Sequence, residues 1–147
     1  MEYYRHTQKA YLLLLASFPF VVWAFYVLFL KYAHPLNLIL GLAFATIIFV
    51  AWQFSLLTVS VNGDAIEIRF GIGTIRKKFL LDDIESCAAV KNPWYYGWGI
   101  HRIPRGWLFN VSGFDAVEIR MKDRRRYRIG TDEPGELENV IRQRIGE

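Results

Sequence analysis

Two uninterrupted apolar runs constrain this chain more than any other feature. Ala10 to Leu30, AYLLLLASFPFVVWAFYVLFL, holds 21 residues and no charge, and Pro35 to Leu57, PLNLILGLAFATIIFVAWQFSLL, holds 23 and again none. At about 1.5 Å of rise per residue, helices of these lengths match a hydrocarbon core of about 30 Å. Neither run carries the single polar stripe of an amphipathic helix. A signal peptide fits the first run poorly, because its apolar region is about 7 to 15 residues and no small-residue cleavage site follows Leu30. The sequence therefore predicts two transmembrane spans, about 10–30 and 35–57, joined by KYAH into a tight helical hairpin. Arg5 and Lys9 precede the first span and a basic segment follows the second, against Lys31 and His34 in the turn. The positive-inside bias then predicts both termini on the cytoplasmic side. Gly41 and Ala45 form a small-xxx-small pair for close helix packing, and Pro19 is a kink site in the first span.

From Thr58 the pattern changes to alternation. LTVSV, the turn NGD and AIEIRF read as a β-hairpin with Ile66 and Ile68 on the buried face. TIRKKFLL, IESCAAV, GWLFNV, AVEIRMK and RRYRIG follow, which makes seven strand candidates. The chain ends in a helix: Thr131 or Asp132 caps it, Pro134 lies in its first turn, and Leu137, Val140, Ile141 and Ile145 recur at helical spacing. Seven short strands and a terminal helix suggest a partly open barrel, or two orthogonal sheets, closed at one end by the helix. Residues 1–57 are read as the hairpin and 58–147 as a cytoplasmic domain.

The order of elements from Thr58 to Ile145 resembles a pleckstrin-homology fold. The phrases NPWYYGWGIHR, GWLFNVSGFDAVEI and RIGTDEP resemble uncharacterised bacterial membrane proteins with a pleckstrin-homology-like domain. The resemblance implies an α+β protein of the bacterial inner membrane, in which one or two spans precede a binding module without catalysis. Phosphoinositide-binding members carry basic residues in the first hairpin loop, where this chain has NGD with Asp64.

Residues 92–107, NPWYYGWGIHRIPRGW, concentrate rings and cations in a segment too punctuated for one regular element. One reading places Trp94, Tyr95, Tyr96 and Trp98 in a membrane interface, with His101, Arg102 and Arg105 meeting lipid phosphates. The other packs some of these rings into a small barrel; Trp107, on a strand, belongs to the core, and Trp94 and Trp98 are open between core and surface. In KDRRRYRIG, strand alternation sets Arg124, Arg126 and Arg128 on one face and Arg125 with Tyr127 on the other. That face is either a basic edge for phosphates or an acidic partner, or a solvated face whose charges block edge pairing. Arg76, Lys77 and Lys78 pose the same choice.

Other functions find little support. The formal net charge of +4 is a smaller basic excess than nucleic-acid binders carry, so no nucleic-acid partner is expected. Cys87 is the single cysteine, which precludes an intramolecular disulfide and agrees with a reducing compartment. His6, His34 and His101 lie in separate segments without metal-ligand spacing, and GIG lacks the rest of a dinucleotide loop. No catalytic residue, cofactor or metal is expected. The sequence predicts a membrane-anchored module that holds a protein, peptide or lipid headgroup at the inner membrane surface. The alternative is an assembly subunit that packs through its helices on a larger membrane complex.

Overall fold

The computed structural model describes residues 2–26, 35–104 and 106–146. Strand β1 (Glu2–Lys9) leads into helices α1 (Tyr11–Tyr26) and α2 (Pro35–Gln53). Eight further strands follow: β2 (Leu56–Asn62), β3 (Ala65–Phe70), β4 (Ile75–Leu80), β5 (Ile84–Lys91), β6 (Gly99–Ile103), β7 (Gly106–Asn110), β8 (Asp115–Met121) and β9 (Arg126–Gly130). Helix α3 (Pro134–Ile145) closes the chain. One sheet has the order β1-β2-β3-β4 and the other β5-β8-β9-β7-β6.

The transmembrane expectation does not stand. Among the described residues no helix is long and apolar enough to cross a membrane. Helix α1 is described over 16 residues, about 24 Å of rise against a core of about 30 Å. The second run is cut short by the sheet: α2 stops at Gln53, and Leu56 and Leu57 belong to β2. Gln53 itself is held by the β-structure, since its side chain donates to Thr74 Oγ1 at 2.6 Å and accepts from the Ile72 amide at 3.1 Å. Integral placement in the inner membrane, and the orientation with both termini cytoplasmic, rested on two spans and lose that basis. The connection KYAH lies outside the described residues.

The seven-strand barrel is also corrected. Residues Glu2–Lys9, expected only to flank a span, pair antiparallel with β2 from Tyr4 opposite Val61 to Lys9 opposite Leu56. The helix pair is thus inserted between two neighbouring strands of one sheet, and the Ala10 amide closes the insertion by donating to Ser55 O at 2.8 Å. The second unexpected strand is β6, within the aromatic stretch, which pairs with β7. The second sheet is not wholly antiparallel, because β7 and β9 run parallel, Trp107 opposite Tyr127 and Phe109 opposite Ile129. Gly106 permits this: a Cβ there would lie 1.8 Å from Arg126 O.

Alternation builds the core between the two sheets. Val59, Val61, Ile66, Ile68 and Phe70 of the first sheet face Phe109, Val117, Ile119, Tyr127 and Ile129 of the second, all in one buried cluster. Rings join the sheets across it, with Phe70 6.5 Å and Phe79 6.3 Å from Phe109, and Phe79 4.7 Å from Tyr127. Each such side chain contributes about 1.5–3 kcal/mol on full burial. Leu137 and Ile141 of α3 are fully buried in the same cluster, as their spacing requires. The N-cap is Glu133 rather than Thr131 or Asp132; Thr131 Oγ1 instead accepts from the Glu133 amide at 3.1 Å. Glu138 on this helix accepts from the Ala89 amide on β5, so α3 covers part of an edge strand.

Candidate functional site

The β-structure has two ends, and the sequence-predicted residues divide between them. Strand β6 starts at Gly99 opposite Asn110 and finishes at Ile103 opposite Gly106. Trp98 and Arg102 therefore sit four residues apart at opposite ends, about 13 Å along a strand. The single site imagined for rings and cations together is two separate places.

At the Arg102 end lies a groove of about 460 Å³ lined by Arg102, Ile103, Gly106, Trp107, Arg125, Arg126 and Tyr127. The geometry follows from register. Arg102 pairs with Trp107 across β6 and β7, and Trp107 pairs with Tyr127 across β7 and β9. Residues opposite one another project to the same face, so Trp107 continues the inward row of Phe109, and Arg125, in the turn just before β9, lies at the open end of the groove. At the rim, Trp107 stays 44% exposed while Tyr127 is buried, and the groove is an opening of the core itself. Lys77 of the other sheet holds its Nζ 5.9 Å from the Tyr127 ring. Arg125 is paired with Asp123 at 3.3 Å on an exposed turn. Among the described residues Arg102 has no ion pair.

The basic strand is used otherwise. Strand β9 lies between β8 and β7, so it is not a sheet edge. Arg126 and Arg128 converge on Glu118 of β8, at 3.3 Å and 2.8 Å. Arg128 also donates to Asn92 Oδ1 at 3.1 Å and lies 5.6 Å from the Tyr96 ring. Arg124 is outside the strand, in the β8–β9 turn with φ of 71°. Arg105 lies outside the described residues. Alternation pairs Arg125 with Tyr127, and its strand position assigns Trp107 to the core; neither placement points to the groove. Which strand lies beside β7 decided both, and local pattern does not encode that.

At the opposite end, Trp94, Tyr95 and Tyr96 form a 3-10 turn after Pro93. Trp94 is 79% and Tyr95 67% exposed, and Trp98 is half-exposed, its indole N–H donating to Gly113 O at 3.3 Å. Trp94, Tyr95 and Trp98 thus lie at the surface rather than in the core, and Tyr96 is partly buried. The His101 ring, on β6, is bonded to Trp98 O three residues earlier. In the helix pair Gly41 is buried but Ala45 is exposed, so the two small residues do not share one packed face; Trp23 and Phe44 meet edge to face at 5.0 Å instead.

A third cluster joins the chain termini. His6 on β1 lies 2.6 Å from Asp132 Oδ1 and 3.1 Å from Glu133 Oε2, and the Tyr4 hydroxyl donates to Glu133 at 3.3 Å. Burial, reinforced by Glu133, pushes the Tyr4 hydroxyl well above the usual tyrosine range. The described residues include no group of His, Cys, Asp and Glu arranged to hold a metal ion. Cys87 is buried, its Sγ directed at Glu138 O at 3.7 Å. No protein-family model, curated protein or solved structure matches the chain.

Proposed function

We propose that this protein is a non-catalytic binding module whose rim groove takes an anionic group, carboxylate or phosphate, of a protein partner. The observation that carries the reading is that Arg102 of β6 and Arg125 of the β8–β9 turn line one groove with the Trp107 and Tyr127 rings. A guanidinium presents a planar fork suited to carboxylate and phosphate, and a ring beside it supplies apolar contact for the rest of a bound segment. Lys77 adds positive potential from the facing sheet.

Calorimetric titration of the full chain with a hexaglutamate peptide, across a salt series, tests this. Salt-sensitive binding weakened roughly tenfold by Arg102→Glu, and unchanged by Lys91→Glu at the other end, is the expected result. Absence of binding, or equal loss in both variants, rejects the groove as the site.

A further inference from the structure

The two ends of the β-structure differ in charge as well as in position. At the groove end the connections carry Asp64 between β2 and β3, Asp82 and Asp83 between β4 and β5, and Lys122, Asp123, Arg124 and Arg125 between β8 and β9. At the helix-bearing end, the segments 53–55, 71–74, 92–98 and 111–114 contain no charged residue. Hydrogen bonds join these segments in two pairs, and the end of β1 links the pairs through Gln8 and the Ala10 amide, which donates to Ser55 O. The Ile72 amide meets Gln53, the Trp98 indole meets Gly113 O, and Gln8 donates to Ser112 O at 3.0 Å, one residue before Lys9 and the start of the helix pair. The fifth connection at this end, Thr131–Glu133, carries acids that turn aside onto His6.

The apolar side chains here point outward. Ile72 is 62% exposed, Trp94 79%, and Phe114 41%, each at the tip of an uncharged loop. Tyr11 and Trp52 continue the ring onto the bases of α1 and α2, and Lys9 Nζ lies 6.0 Å from the Tyr11 ring. Beyond them, exposure runs round α1 rather than along one stripe: Phe20, Val21, Val22 and Trp23 are consecutive, at about 100° steps, and all are exposed. A folded partner covers one stripe of a helix. A lipid surface is not limited to one stripe.

We infer that the helix-bearing end of the β-structure rests on a lipid surface, with the loops 71–74, 92–98 and 111–114 at headgroup depth and the groove facing water. The inference concerns contact with a lipid surface and needs no helix that crosses it. Trp and Tyr favour that depth because their rings are apolar and their N–H or O–H reaches polar groups. The occupant is the lipid itself, so the groove remains open to a partner in solution.

All five tryptophans are exposed, at positions 23, 52, 94, 98 and 107, so single-tryptophan forms of the full chain made by Trp→Phe changes keep the core intact. These forms are mixed with phosphatidylcholine vesicles with and without brominated acyl chains, and their fluorescence is compared. The form retaining Trp94 is expected to lose at least half its emission to brominated lipid, and the form retaining Trp107 to lose none. Equal quenching of the two, or quenching of the Trp23 form alone, overturns the contact by the loops. Failure of the folded chain to float with vesicles, with light scattering reporting a discrete oligomer, overturns it in favour of a second copy covering the helices.

Discussion

Arg128 Nε lies 2.8 Å from Glu118 Oε2, and Arg126 reaches the other oxygen of the same carboxylate at 3.3 Å. One acid on β8 thus holds two of the arginines that look, in sequence, like an open basic face. Replacing Glu118 by Ala leaves two half-buried guanidinium groups without their partner. A loss of about 2 kcal/mol is expected, read from urea unfolding, with Arg102→Ala near zero in the same assay.

Gly106 and Gly135 give opposite expectations for the same change. A Cβ on Gly106 meets the Arg126 carbonyl, which forces β7 from β9, whereas Gly135 in α3 faces open space. Gly106→Ala is expected to destabilise by about 3 kcal/mol or more, and Gly135→Ala to stabilise by up to about 1 kcal/mol. Thermal unfolding of both variants checks the contrast.

The N-terminal strand is part of the fold. Without β1, strand β2 becomes an unpaired edge and Tyr4 leaves the core cluster. Residues 58–147 alone are therefore expected to lose cooperative unfolding, while the full chain retains it. Amide hydrogen exchange of β2 in the two forms measures this directly: equal protection of β2 in both contradicts the expectation.

Tyr4 sets a stability limit at high pH. Its folded hydroxyl resists ionisation because of burial, while the unfolded chain ionises at the ordinary value. A raised folded pKa contributes stability that is complete below about pH 10 and is lost as pH rises beyond it. The difference in urea midpoint between the wild type and Tyr4→Phe is expected to shift against the wild type from pH 9 to pH 11, roughly, as the unfolded tyrosine ionises. A constant difference across that range contradicts it.

Local pattern determined much of this protein. Alternation in AIEIRF and AVEIRMK specified strands and their buried faces, NGD specified the hairpin between β2 and β3, and the spacing of Leu137 and Ile141 specified the face of α3, because each signal is complete within a few residues. Tertiary pairing decided the rest. Glu2–Lys9 has no apolar alternation to mark it, and it is a strand because β2, more than forty residues later, offers it a ladder. The second apolar run was read to Leu57 by hydropathy, but Gln53 is claimed by Ile72 and Thr74, and the helix ends there. The groove depends on β7 and β9 lying parallel, a long-range choice that Gly106 permits but does not announce. Side chains on strands distant in sequence meet only when the sheets assemble, so the rings and cations of residues 92–107 divide between two ends that the sequence presents as one.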